Sequence, residues 1–449
     1  MKKLLSILAS LCVVAFLAGC EETVITMDDS ADARVDAVIK SYIAELAGAE
    51  NGWIADVMTD EGYYRFHMTF TDDNKVTMYT DNFYYTELNG VSMTSTYNIR
   101  SLQRPTLSFD TYSYLSIIND PDNEISGGSG NMGLGTDFEF EIGGYADGVF
   151  TLIGRVNRVD ASLRKATAEE KASIEAGGLM GVIIDAITYQ QGENCYFSVG
   201  DVTVNVLFNG RSNTFFYIDG NDVAETSGYV KIEQDKTIAL TEPVVIAGKS
   251  ITGFVWNEQT QQYSAVVDGE QVAVEAQVEP IFPLHYMLGP GKLYTVMQTI
   301  TSMFPSTLES ENQFGYQMMA ANAGLYSAFR MQLQLVQLEF TTTESGAPRL
   351  LVEWVVGGYS GYMTYYIEFN EDEDQFTVTD MTFEDDTFGN GAYFCSRAPA
   401  ALAFAQFWVG KTFKIEWASV SFGSYVMGQL KLVDDGGMPA EFYGACFSD

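Results

Sequence analysis

The feature that most constrains this chain is a two-residue alternation of apolar and polar side chains, in short runs separated by turn-forming residues. In YRFHMTFTDDNKVTMYTD (residues 64–81) two such runs flank TDDN, and DEG stands just before them. Alternation puts one set of side chains on one face of a strand, and Asp, Asn and Gly supply the turn, so the stretch reads as an antiparallel hairpin. STYNIR, TLSFD, DFEFEI and GVFTLIGR extend the pattern to about residue 165. It returns from CYFSVGDVTVNVLF to GEQVAVEAQVEP, with Asp-Gly and Asn-Gly turns, again from about residue 331 to 384, and in the closing runs KTFKIEWASV and YVMGQLKLV. Polar residues facing out and apolar residues facing in are what antiparallel sheets carry.

Helices interrupt the strands. Val35, Val38, Ile39, Tyr42, Ile43 and Leu46 recur at helical spacing over residues 31–47, with Ser30 as the cap and Gly48 as a left-handed terminator. Thr167-Ala168-Glu169-Glu170 is a capping box for a second helix, which Gly177-Gly178 breaks before another apolar turn. LYTVMQTITSMF (293–304) reads as a third helical run. APAALAFAQFWV (398–409), bracketed by Ser396, Pro399 and Gly410, reads as a fourth. The fold class expected is α+β: mainly antiparallel sheet in sandwich-like or meander units, with a few amphipathic helices packed on the sheets. Helix followed by meander recurs, which divides the chain into residues 31–165, 166–290 and 291–449; no strict sequence repeat is visible.

The N-terminus carries an address. Lys2 and Lys3 form a positive head, and Leu4 to Leu17 is an apolar stretch short for a bilayer span, as in a secretory signal. Leu17-Ala18-Gly19-Cys20 resembles a bacterial lipobox, so residues 1–19 are expected to be cleaved and Cys20 lipidated. Each buried methylene of an acyl chain contributes roughly 0.8 kcal/mol, enough in multiple chains to hold the protein on a membrane. Residues 20–30 read as a flexible tether. Glu21-Glu22 resembles the acidic export signal of Bacteroidota surface lipoproteins, which places the protein on the outer membrane facing the exterior; the periplasmic face is the alternative. Cleavage removes two lysines and no acid, taking the formal net charge from −36 to −38. Such a field repels phosphate backbones and excludes nucleic acid as a partner.

AENGW, the 64–81 hairpin, STYNIRSLQRPTLSFDTYSYL, TDFEFEI, VFTLIGRVNRVDASLRKAT and TEPVVIAGKSITGFVWNEQTQQY together resemble the Bacteroidota lipoproteins of domain-of-unknown-function family 4302. The resemblance implies a surface location and the company of an outer-membrane importer. It carries no established functional residues.

Motifs of chemistry are sparse. Gly128-Ser129-Gly130-Asn131-Met132-Gly133 spells GxGxxG, yet a dinucleotide fingerprint needs a strand before it and a helix after it; a strand-like run follows instead, and no cofactor is expected. Asp137, Glu139 and Glu141 alternate with Phe138, Phe140 and Ile142, a pattern suited to a carboxylate pair or, more plainly, to a solvated sheet face. Asn370-Glu371-Asp372-Glu373-Asp374 lacks the turn glycine and distant glutamate of a calcium loop and reads as a charged hairpin tip. His67 and His285 belong to no HExxH motif, and there is no GxSxG. Neither a catalytic nor a metal site is therefore assigned. Cys195, Cys395 and Cys446 read as buried free thiols, with a Cys395–Cys446 bridge as the alternative. Trp53, entering the first strand, is assigned to the core.

Tyrosines are the remaining signal. Tyr84 and Tyr85 before ELNG, and Tyr359 and Tyr362 in VVGGYSGYMTYY, stand beside turn residues, where a ring can stack on a sugar or grip a peptide. The expected function is a non-catalytic accessory that captures a glycan or peptide nutrient beside an importer. The alternatives are a carboxylate-dependent hydrolase and a structural or adhesive surface protein.

Overall fold

The computed structural model describes residues 31–128, 132–190, 193–300, 312–418, 427–434 and 436–447. The protein is α+β and mainly antiparallel, and the chain falls into two compact units, residues 1–181 and 182–449.

In the first unit, α1 (Ala31–Ala47) leads into an eight-stranded meander. Its strands are β1 (Trp53–Thr59), β2 (Gly62–Phe70), β3 (Lys75–Thr80), β4 (Met93–Ser101) and β5 (Pro105–Phe109), then β6 (Glu139–Ala146), β7 (Val149–Gly154) and β8 (Asp160–Lys165). Two short helices, α2 (Tyr114–Ile118) and α3 (Asn123–Ser126), lie between β5 and β6. Pairing of β1 with β8, from Trp53↔Lys165 to Val57↔Ala161, closes the meander into a barrel. Closure removes the free edges that an open meander leaves. The alternating apolar residues, among them Ala55, Val57, Phe66, Met68, Phe140 and Leu163, fill the interior. One void among them measures about 10 Å³, room for no more than about one water molecule. Trp53 is fully buried and its indole N–H donates to the Leu46 carbonyl at 2.9 Å, tying α1 to β1. Gly48 ends α1 by donating its N–H to Ala44, without entering the expected left-handed region; the left-handed glycine is Gly52.

The outward face of β1 and β2 is also covered. Ile54 packs with Ala166, Ile174 and Leu179 from the segment holding α4 (Ala168–Glu175). The Thr167 capping box forms in both directions, Glu170 N–H to Thr167 Oγ1 at 3.1 Å and Thr167 N–H to Glu170 Oε2 at 2.8 Å. Gly177, with φ +92°, then separates α4 from α5 (Gly178–Thr188), within which the division between the units falls. Three buried polar side chains stand on that covered face. Arg65 holds Asp56 across the β1–β2 ladder at 2.6 Å, and His67 donates through Nε2 to the Asn51 carbonyl at 2.7 Å.

The second unit begins with a nine-stranded antiparallel sheet. It comprises β9 (Asn194–Val199), β10 (Val202–Phe208), β11 (Ser212–Asp219), β12 (Asp222–Ile232), β13 (Ile238–Ile246), β14 (Lys249–Asn257), β15 (Gln262–Val267), β16 (Glu270–Ala273) and β17 (Glu275–Gln277). A second closed barrel follows, beginning with β18 (Val296–Ile300), which pairs with β19 (Leu333–Thr342) and with the last strand. Its description is completed by α6 (Gln313–Phe329), β20 (Pro348–Val356), β21 (Tyr359–Phe369), β22 (Gln375–Thr382), α7 (Asn390–Arg397), α8 (Pro399–Gln406), β23 (Thr412–Trp417), β24 (Met427–Leu432) and β25 (Glu441–Phe447).

One helix expectation is corrected here, and another holds with shorter bounds. The described part of LYTVMQTITSMF is strand β18, because Val296, Met297 and Thr299 are buried between two neighbouring strands and β-branched residues suit that pleat. The helix of this region is α6, which buries Phe314, Met318, Ala321 and Leu325 at helical spacing. The APAALAFAQFWV helix forms as the shorter α8, with Pro399 in its first turn, and α7 precedes it.

The two ends of this barrel differ. Helices α6, α7 and α8 pack at the end where β20 turns into β21. At the other end, the 3-10 turn Leu284–Tyr286 lies against β23, Trp417 Nε1 donates to the Phe282 carbonyl at 2.7 Å, and the β21–β22 turn (370–374) projects. Cys195, Cys395 and Cys446 are buried and free. Burial pushes the Cys195 thiol up to about 11, and those of Cys395 and Cys446 up to about 12.

Candidate functional site

The β20–β21 hairpin is tight. Val356 pairs with Tyr359 across Gly357 (φ +58°) and Gly358 (φ +86°), both left-handed, as a two-residue type I′ turn requires. A Cβ on Gly357 would also meet the Met331 sulfur at 2.6 Å, so the turn seats against the chain leaving α6 only without a side chain. Helix α7 approaches the same hairpin closely, since a Cβ on Gly361 would lie 2.6 Å from the Gly391 nitrogen. Asn390 Nδ2 donates to the Ser360 carbonyl at 2.8 Å, and the Asp386 carboxylate accepts from the backbone N–H groups of Tyr362 and Ala392.

This scaffold holds a group of exposed rings. Tyr359 is 59 % exposed, Phe388 77 %, Tyr393 50 % and Tyr326 47 %. Tyr393 packs on Phe329 with centroids 5.4 Å apart, and the Arg397 guanidinium lies 5.7 Å from the Tyr393 centroid. Arg330, left-handed at the end of α6, lies 5.6 Å from the Tyr326 centroid. Aromatic faces flanked by guanidinium groups on rigid elements offer stacking surface and hydrogen-bond donors together.

The other tyrosines singled out from the sequence are placed differently. Tyr362 is three residues from Tyr359 and so points to the opposite face of β21; it is half-buried, and its hydroxyl donates to Glu353 at 3.2 Å. Burial, with the Glu353 carboxylate beside it, raises its pKa. Tyr84 and Tyr85 belong to the first unit. Tyr84 is exposed and stacks on Phe83 at 5.2 Å, whereas Tyr85 packs on the barrel core and donates its hydroxyl to the Ile125 carbonyl. Phe388, Tyr393 and Tyr326 were not singled out; the turn chemistry of Asp386-Thr387-Phe388-Gly389 is the signal that points to the first of them.

The acidic candidates are occupied. Asp137, expected on a solvated face, is buried and accepts from the N–H groups of Val156 and Asn157 at 3.0 Å, while Phe138, expected inside, is exposed. The reason is that β6 starts only at Glu139, so the alternation does not apply to the two residues before it. Glu139 pairs with Arg155 at 2.6 Å and Glu141 with Arg158 at 3.3 Å. At the 370–374 tip, Asn370 Nδ2 donates to Asp374 at 2.7 Å. Among the described residues no group of three or more His, Cys, Asp or Glu side chains is placed to hold a metal ion, and no helix is long and apolar enough to cross a membrane. Cys20, Glu21 and Glu22, the cap Ser30 and the centre of the GxGxxG match lie outside the described residues.

Comparison with solved structures finds distant likenesses. The DNA polymerase III β subunit of Thermotoga maritima is 11 % identical, with 92 % of this chain and 97 % of that chain covered, at a TM-score of 0.11. A Nostoc punctiforme protein of unknown function from the DUF3598 family is 8 % identical, with 58 % and 97 % covered, at 0.13. Scores this low carry no likeness of fold. No curated protein matches the chain. One family profile does, described as "Domain of unknown function (DUF4302)", and it spans residues 25–258, more than half of the chain, so the protein belongs to the DUF4302 family.

Proposed function

We propose that the protein is a lipid-anchored, non-catalytic capture protein of the outer membrane, facing the exterior, that binds an extended glycan or peptide for an adjacent importer. The observation that carries this reading is the set of large rings left in water at the helix-bearing end, or rim, of the second barrel, Tyr359 on the β20–β21 hairpin, Phe388 in the turn before α7, Tyr393 on α7 and Tyr326 on α6. Exposed rings gain free energy when a ligand covers them and contribute little to the core while free. The Leu17–Cys20 lipobox and Glu21-Glu22 support the location, and the family's usual company supports the importer.

The test is a glycan and peptide array probed with the soluble ectodomain and with a Tyr359→Ala/Phe388→Ala double variant. Capture predicts a restricted set of ligands bound by the parent and lost by the variant at unchanged melting temperature. Equal binding by both proteins removes the rim as the site, and an array without any ligand removes the capture function.

A further inference from the structure

The opposite end of the second barrel holds a cleft of about 370 Å³, lined by Pro283, Leu284, His285, Asp374, Lys414, Ile415, Glu416 and Trp417. β21 separates it from the aromatic rim: its 11 residues run from the Gly357-Gly358 turn to the 370–374 tip, roughly 35 Å at a strand's rise per residue. The cleft is thus a separate place, and what it binds does not depend on the rim.

Its walls are of two kinds. Pro283, Ile415 and the Trp417 indole make an apolar side. Trp417 is held rigidly, its N–H donating to the Phe282 carbonyl at 2.7 Å and its ring lying 6.5 Å from Tyr294 in an edge-on contact. The polar side carries His285, Asp374, Lys414 and Glu416. Lys414 and Glu416 are paired at 2.7 Å, so their charges cancel while spare donor and acceptor positions remain. Burial lowers the His285 pKa, which keeps the imidazole neutral near pH 7 with one donor and one acceptor nitrogen. Lys292, only 7 % exposed, braces the floor by bonding the His285 carbonyl and the Glu373 carboxylate, each at 2.8 Å.

We infer that this cleft binds a single neutral sugar ring, with the ring's apolar face on Trp417 and its hydroxyls on Asp374, His285 and the Lys414–Glu416 pair. The volume lies within the range of roughly 300–1,000 Å³ that small ligands occupy. Hydroxyl groups both donate and accept, which matches a wall carrying both functions. An anion would meet the Asp374 carboxylate, and a cation would have to compete with Lys414 for Glu416. A neutral polyol leaves the internal ion pair intact and can both donate to and accept from the polar wall.

The experiment is calorimetric titration of the soluble ectodomain with a panel of neutral hexoses and pentoses, up to about 100 mM, because a single ring is expected to bind in the millimolar range. Spermidine and N-acetyl-lysine amide serve as cationic probes. The parent should bind at least one neutral sugar saturably. Asp374→Asn should weaken that binding about tenfold, Trp417→Phe should weaken it less, and the rim variant Tyr359→Ala/Phe388→Ala should leave it unchanged. Melting temperatures of Asp374→Asn and of the rim variant should stay close to that of the parent, while Trp417→Phe, which loses the bond to the Phe282 carbonyl, should melt somewhat lower. Should Asp374→Asn melt early, Glu416→Gln serves in its place, with the same direction expected. Absence of saturable sugar binding overturns the proposal. So does sugar binding indifferent to both carboxylate variants, and so does preferential, salt-sensitive binding of the cationic probes.

Discussion

The Lys292 ammonium lies 2.8 Å from the Glu373 carboxylate, and it reaches that position from a side chain almost entirely withdrawn from water. The same nitrogen donates to the carbonyls of His285 at 2.8 Å and Asn221 at 3.1 Å. One cation therefore joins the β11–β12 turn, the 3-10 turn and the β21–β22 tip, three segments far apart in sequence within one unit. Its three donors are all used, which is how a buried ammonium becomes tolerable.

Lys292→Met keeps the apolar stem and removes the donors. It is expected to destabilise the protein by about 1–3 kcal/mol, less than a fully buried pair would, because Glu373 remains a third exposed and can be hydrated. Urea denaturation of parent and variant measures this. An unchanged midpoint would mean that the three segments hold together without the lysine.

His67 gives the stability a pH dependence. It is 1 % exposed, Nδ1 has no partner, and burial lowers its pKa below the usual 6.5, with Lys171, Glu170 and Glu175 as the charged groups acting on it. The folded state then binds fewer protons than the unfolded chain below pH 6.5. This contribution is complete above about 6.5 and is lost as the pH falls through the lowered folded value. His67→Gln should reduce the slope of urea midpoint against pH between about 7 and 5 and leave the slope above 7 unchanged. Superimposable profiles would show that His67 is not a source of acid sensitivity.

How far these features were legible depends on how local their causes are. The Thr167 capping box, the Gly177 break and the core place of Trp53 follow from a few neighbouring residues, and the structure holds each as the sequence suggests. Barrel closure was not legible, because Trp53↔Lys165 and Val296↔Phe447 join residues more than a hundred positions apart, and alternation says nothing of which strand meets which. LYTVMQTITSMF shows the same limit, since an apolar run without strict period suits a helix or a strand buried between neighbours. Asp137 shows a third: alternation does not extend to the two residues before the strand that generates it. Of the rim, Tyr359 could be found from its turn. Tyr326 and Tyr393 sit on helices, and which of a helix's rings stay in water is decided by how that helix packs on the barrel.

The thiols should be inert in the folded protein. With pKa values pushed up by burial to about 11 for Cys195 and about 12 for Cys395 and Cys446, almost no thiolate exists at pH 8. Ellman's reagent should find no reactive thiol in the native soluble ectodomain and three after denaturation. One thiol after denaturation would mean that two of the cysteines, Cys395 and Cys446 foremost, are joined in the isolated protein.

The anchor is tested at Cys20. Cys20→Ala should abolish incorporation of labelled fatty acid and leave unprocessed precursor, since no other residue of the Leu17–Cys20 motif carries a thiol. Glu21→Ala with Glu22→Ala should retain acylation and folding while removing protein from the reach of protease added to intact cells. Unchanged acylation in the first variant defeats the lipobox reading, and unchanged digestion in the second makes the glutamates part of the tether only.

Tyr359 and Tyr362 provide the sharpest contrast, because three residues of spacing on one strand separate a ring in water from a ring in the wall. Tyr359→Ala removes an exposed face and no bond to the core, so it should cost about 1–3 kcal/mol of binding to a captured ligand with little change in melting temperature. Tyr362→Ala strips a half-buried ring and leaves Glu353 without its hydroxyl donor, so it should lower stability by about 1–2 kcal/mol and leave binding nearly intact. Paired measurements of ligand affinity and thermal unfolding on the two variants decide it. If both effects fall on Tyr362 and neither on Tyr359, the ligand is held on the outer wall of the barrel beside Glu353 rather than at its helix-braced end.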